Sequence, residues 1–192
     1  MSDFGFYFKM GWEHIISKDA LDHQLFILVL ACVFSIGDIK RVLVLVTAFT
    51  IGHSLTLALS VNDIIRFPGK WTEFLIPCTI FTTALVNIFR VDAKYKHERI
   101  NYYLALCFGL VHGMGFANAI RIMLATDQTI GWGLFGFNVG LEAGQIFCVA
   151  IILIISILFL NILKIKRRDW VLFLSAGVFA LSVKMALERL PW

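Results

Sequence analysis

Apolar stretches recur along the whole chain and are broken by short polar or charged pieces. A helix needs about 20 apolar residues to cross a hydrocarbon layer roughly 30 Å thick. Six runs are read as spans on that measure: about Leu21–Ile36, Val42–Val61, Trp71–Phe89, Ile100–Leu124, Gly133–Leu160 and Trp170–Leu187. The connecting pieces are Gly37–Arg41, Asn62–Lys70, Arg90–Arg99, Thr126–Trp132 and Asn161–Asp169. The pattern predicts an all-α fold, a polytopic bundle of six transmembrane helices that forms one integral domain over residues 1–192. The first twenty residues carry Lys9, Glu13, Lys18 and Asp19, which makes them too polar to span and unlike a cleavable signal peptide. Phe4, Phe6, Tyr7, Phe8 and Trp12 suit an interfacial or partly re-entrant helix there.

Composition strengthens this picture. The chain of 192 residues is 59% hydrophobic and 16% charged, with a mean hydropathy of +0.84. Soluble domains hold about 45–50% apolar and about 25% charged residues. A soluble enzyme, a disordered chain and a nucleic-acid-binding domain are thereby excluded, and the expected partner is the lipid bilayer. The net charge of +4 then bears on orientation. The loops after spans one, three and five hold ten Lys and Arg: Lys40, Arg41, Arg90, Lys94, Lys96, Arg99, Lys164, Lys166, Arg167 and Arg168. The other side holds seven: Lys9, Lys18, Arg66, Lys70, Arg121, Lys184 and Arg189. The positive-inside rule puts the first set in the cytoplasm, both termini outside, and the protein in the cytoplasmic (inner) membrane. Cys32, Cys78, Cys107 and Cys148 lie in apolar runs without CxxC spacing, so they read as small core residues.

Ionisable side chains inside apolar spans are costly, about 2.5–3.5 kcal/mol each at the bilayer centre on insertion scales, and so are functional candidates. His14, Asp22 and His23 stand at the entry of span one, His53 lies inside span two, His112 near the middle of span four, and Glu142 in the outer half of span five. All can meet in the outer half of one bundle. His97 falls in a charged loop and reads as solvated. At about 100° per residue, Asn138, Glu142 and Gln145 share one stripe of span five, while Gly136, Gly140 and Gly144 form a GxxxGxxxG ridge opposite. Thr50, His53, Thr56 and Ser60 share a face of span two, and Gly109, Gly113 and Gly115 surround His112. Lys184 and Glu188 are spaced as an i,i+4 pair. Several imidazoles with one or two carboxylates are the donor set of a divalent transition metal: nickel, cobalt, zinc or iron. Thr50, Asn138 and Gln145 are placed to orient the imidazoles. Asp22 and His23 are adjacent and point about 100° apart, so either can be the ligand and the other the orienting group. Asp22 also reads as a helix N-cap for span one, and Glu142 as a protonated structural acid.

Four ordered motifs carry a resemblance. Gly11-Trp12-Glu13-His14-Ile15 followed by Asp22-His23, the segment Phe49–Leu57 around Gly52-His53-Ser54, the segment Phe108–Ala117 around His112-Gly113, and Phe137–Gln145 around Glu142 resemble those of the HupE/UreJ family of small membrane proteins. Seven residues separate His14 from Asp22, which is similar to the broader, less characterised branch rather than to hydrogenase-linked members. The resemblance implies nickel or cobalt uptake, with His14, Asp22, His23, His53, His112 and Glu142 as the metal-handling residues. The expected function is a divalent-metal permease rather than an enzyme. It would take up metal at His14, Asp22 and His23 and pass it to His53, His112 and Glu142. Six helices are few for alternating access, which points to a homo-oligomer. Two alternatives stand beside it: an intramembrane metal-dependent hydrolase with a buried zinc, in which Ser54 and Glu142 assist, and a structural subunit whose metal staples helices.

Overall fold

A computed structural model describes residues 3–92, 98–124 and 130–192. Lys94, Lys96, His97 and residues 125–129 of the fourth connecting piece lie outside that set, as do the side chains of Arg99 and Arg121. The described residues form seven α-helices and no strand: α1 (Asp3–Ile16), α2 (Leu21–Ala31), α3 (Ile39–Val61), α4 (Gly69–Arg90), α5 (Glu98–Leu124), α6 (Ile130–Ile157) and α7 (Arg167–Glu188). A 3-10 turn at Ile36–Asp38 joins α2 to α3, and a π turn at Leu158–Ile162 extends α6. Four segments are long and apolar enough to cross a membrane: Ile36–Val61, Gly69–Arg90, Gly131–Ile162 and Arg167–Glu188. The apolar helical stretches Leu21–Ala31 and Ile100–Phe116 are shorter.

Helix ends follow local chemistry. The first apolar run extends to Ile36, but α2 stops at Ala31. Ser35 and Asp38 form a reciprocal capping box, with Ser35 Oγ donating to Asp38 Oδ2 at 2.7 Å, which starts a new turn that feeds α3. Arg167 donates to the Val33 carbonyl just past the end of α2. At the far end of α3, Asp63 takes a left-handed φ of 59°. There Ile64 N–H bonds Leu59 C=O and Asp63 N–H bonds Ser60 C=O, a Schellman closure.

Contacts between named residues give the helix directions. The His23 ring meets that of His112 at a tilt and Phe26 stacks on Phe108, so α2 and α5 are antiparallel. Gly109 and Gly113 of α5 meet the backbone of Phe49 and His53 of α3 in the same order, so that pair is parallel. A Cβ at Gly109 would lie 2.2 Å from the Phe49 carbonyl oxygen, so only glycine permits this approach. The ridge of α6 has a partner of the same kind. Gly136 faces Phe4, Gly140 faces Phe8 and Gly144 faces Ile15, while Gly11 of α1 faces Phe137. Helix α1 therefore runs parallel to α6 and packs on it backbone to backbone, with Tyr7, Gly11 and Ile15 buried. Helices α4 and α7 are antiparallel, with Phe81 beside Phe179 and Arg168 paired to Asp92 at 3.0 Å. No disulfide joins the cysteines; Cys32 is buried, whereas Cys107 is exposed on the helix surface rather than in the core.

Candidate metal centre

The break between α1 and α2 positions the site. Ser17–Ala20 turn the chain, Gln24 closes the turn by donating to the Ser17 carbonyl at 2.9 Å, and His14 is left at the end of one helix beside Asp22 and His23 at the start of the next. The residue flanking α2 is Ala20, without a side-chain cap, so Asp22 is not the N-cap; its Oδ1 instead receives the His23 N–H at 2.9 Å. That same oxygen lies 3.1 Å from His23 Nδ1 and 3.9 Å from His112 Nε2. A carboxylate only accepts, so Nδ1 is the donor here, and in the neutral imidazole Nε2 then keeps its lone pair. Asp22, His23 and His112 each offer one ligand atom, all within 4.8 Å of one another. This is a compact three-donor group from α2 and α5.

His14 extends the group. Its ring lies 4.5 Å from that of His23, and His53 follows 6.1 Å from His14. His14 Nε2, His23 Nε2, His112 Nδ1 and both ring nitrogens of His53 are buried without a hydrogen-bond partner. Buried polar atoms are seldom left so, and a cluster of them calls for an explanation. The two ligand sets expected at different depths are thus one constellation, because α5 brings His112 against His23 rather than against α6. Glu142 stands apart from it. It is half-buried and accepts a hydrogen bond from Thr47 at 2.8 Å. Thr50 donates to Gln145 at 3.1 Å, so these two hold α3 to α6. Asn138 sits beside the His53 ring but donates to the Leu134 carbonyl at 2.8 Å, and its Oδ1 has no partner.

The walls of the centre differ. Phe49 precedes His53 by one turn, Phe108 precedes His112 by one turn, and Phe26 follows His23 by about a turn on the antiparallel α2. All three therefore lie towards the same end of the bundle. Phe26 and Phe108 stack at 3.6 Å and 7°, with Phe49 against both, and none is more than 1% exposed. On the other side a cavity of about 340 Å³ opens. His14, Asp22, His23 and His112 line it, together with Gly115, Phe116 and the exposed carboxylates Asp19 and Glu73. Pro77 has no N–H to give the Glu73 carbonyl, four residues earlier on α4. Another lining residue entered the sequence reading only as an outer-side charge: Arg189, after the last turn of α7, lies 3.5 Å from Asp22 Oδ2. Its separation of 167 residues from Asp22 left only its charge as a signal.

All-helical among the described residues, with four segments long and apolar enough to cross a membrane and a His/Asp group beside a cavity, the chain is of the integral membrane class. The chain matches the family described as HupE / UreJ protein over residues 1–189, and it is a member of that family. The family is linked to nickel and cobalt transport. Among curated proteins and among solved structures none matches the chain.

Proposed function

We propose that this protein is a divalent transition-metal permease that takes up nickel- or cobalt-type ions. The carrying observation is the group Asp22, His23 and His112, within 4.8 Å, facing a cavity with unpartnered imidazole nitrogens around it. Neutral imidazole and carboxylate are the donors such ions prefer. Three donors with room for water hold a cation without trapping it, and conduction requires release as well as capture. Asp19 and Glu73 at the mouth raise the local concentration of cations. His14 and His53 supply the next imidazoles along the site.

In this reading α1 and α2 share one crossing. Eleven residues of α2 rise only about 16 Å, so the chain enters through α1 and continues through α2, with the metal group at the break. Broken helices at transport sites serve the same purpose of freeing polar groups at depth. With α3 to α7 this makes six crossings. Lys40, Arg41, Arg90 and Lys164 to Arg168 sit at the ends of α3, α4, α6 and α7 on the side of the phenylalanine wall. The positive-inside rule makes that side cytoplasmic and turns the cavity and both termini outward. The arrangement is then an outward-open state, closed inward by Phe26, Phe49 and Phe108.

A resident zinc in a hydrolytic or structural centre is the second reading, and the sealed phenylalanine wall is the observation in its favour. One experiment separates them: radiolabelled nickel or cobalt uptake into proteoliposomes, with elemental analysis before and after chelator. Saturable uptake that is lost in His23→Ala and His112→Ala supports the permease. Uptake unchanged by both substitutions overturns the site assignment. About one chelator-resistant zinc per chain with no uptake overturns transport.

A further inference from the structure

Asp22 divides its two oxygens between different partners. Oδ1 faces the imidazoles of His23 and His112, whereas Oδ2 faces the Arg189 guanidinium at 3.5 Å. The carboxylate is 14% exposed and Arg189 34%. A carboxylate this largely buried is stabilised by a counter-charge, and arginine remains charged at any pH a protein meets. Charge-assisted bonds at their best are about 2.7–2.9 Å and often two-pronged. A single 3.5 Å approach is looser than that and is open to replacement.

We infer that Arg189 is a tethered competitor for Asp22, a built-in cation that neutralises the carboxylate while no metal is present and swings away when one binds. The inference rests on the metal reading of the site and adds its regulation. A dication at the His23 and His112 nitrogens would sit a few ångströms from the guanidinium, and like charges that close repel. Arg189 is built to move. It follows Glu188, the last helical residue of α7, and its backbone N–H, bonded to the Met185 and Ala186 carbonyls at 3.1 and 3.3 Å, ties it to the helix end. Pro191, two residues on, cannot continue that helix. The same guanidinium then promotes release: its return to Asp22 displaces the ion, so the site binds weakly enough to turn over.

The test uses Co2+ as the probe, titrated by its visible absorption into the full chain purified in detergent, with amide exchange read by mass spectrometry. Arg189→Gln is expected to bind Co2+ at least about tenfold more tightly, a difference of about 1.4 kcal/mol. Arg189→Lys keeps the charge and should stay near the unsubstituted protein. In the unsubstituted protein, saturation with Co2+ should speed exchange at residues 185–192. In Arg189→Gln that segment should exchange fast with or without the ion. Equal or weaker binding by Arg189→Gln, in protein whose α3 and α5 amides exchange normally, overturns the inference. So does unchanged exchange at residues 185–192 when the unsubstituted protein is saturated, a reading that depends on no variant. Absence of saturable Co2+ absorption in the unsubstituted protein overturns the metal reading itself, and this inference with it.

Discussion

Two carboxylates entered the sequence reading as equals, and their surroundings separate them. Asp22 touches two imidazoles and a guanidinium at the cavity, whereas Glu142 accepts a hydrogen bond from Thr47 on the rim between α3 and α6. Asp22→Asn removes the only carboxylate of the three-donor group among the described residues. It should weaken Co2+ or Ni2+ binding by more than the roughly 10–100-fold seen when a mere orienting partner of a metal ligand is lost. Glu142→Gln keeps a hydrogen-bond acceptor for Thr47 and should leave affinity close to that of the unsubstituted protein. Equilibrium dialysis with radiolabelled nickel measures both, and equal losses would restore Glu142 to the ligand set. Helical phase placed Asn138, Glu142 and Gln145 on one stripe, and that stripe covers both the core and its rim. Gln145 falls inside and Glu142 does not. The i,i+4 spacing of Lys184 and Glu188 was a sufficient signal, since their pair is present at 3.6 Å with both side chains exposed.

Among the elements, glycine spacing marks the two backbone-to-backbone contacts, α3 with α5 and α1 with α6. The α3–α5 contact has Gly52, Gly109 and Gly113 at its seam, and it carries His53 and His112 on its two sides. Gly109→Ala places a methyl group 2.2 Å from a backbone oxygen, a clash that neither helix can relieve with a side-chain rotation. Overpacking of this kind costs about 1–3 kcal/mol, so Gly109→Ala should lower the melting temperature in detergent and weaken metal binding together. Gly177→Ala in α7 is the control: nothing lies within 4 Å of its Cβ. Helix propensity alone favours alanine there by up to about 1 kcal/mol. A thermal unfolding series on the two variants checks the opposite signs. The ridge Gly136, Gly140 and Gly144 announced a close contact in the sequence but not its partner. That partner is α1, whose aromatic residues had suggested a helix lying at the interface.

Over the whole molecule, the cavity and the basic helix ends lie on opposite sides of the phenylalanine wall. A tag placed after Trp192 should therefore be cut by protease added to sealed right-side-out vesicles, while a tag at the connection between α4 and α5 is protected; protection of the Trp192 tag would invert the proposed orientation. The all-helical class, the membrane-capable hydropathy and the closeness of His14, Asp22, His23 and His112 were legible because each rests on local hydropathy or on the rarity of ionisable groups in apolar runs; of the six spans read, four segments among the described residues are long and apolar enough. The early end of α2 was not, since it depends on the Ser35–Asp38 capping box overriding apolar composition. Arg189 was not, because a charge at a helix end has no periodicity and its partner Asp22 lies 167 residues away on α2.

The parallel pairing of α1 with α6 has a consequence for biosynthesis. Parallel neighbours cannot form as a simple hairpin, and more than a hundred residues separate Ile16 from Ile130. At about 5–20 residues per second of translation, α1 waits on the order of 6–25 s for the glycine ridge that receives it. By then α2, α3 and α5, which carry His23, His53 and His112, have already been synthesised. The nascent chain thus completes its imidazole cluster only after the sixth helix has been synthesised: a ribosome stalled before residue 130 would leave Asp22, His23 and His112 in place but His14 without the ridge that α1 packs on.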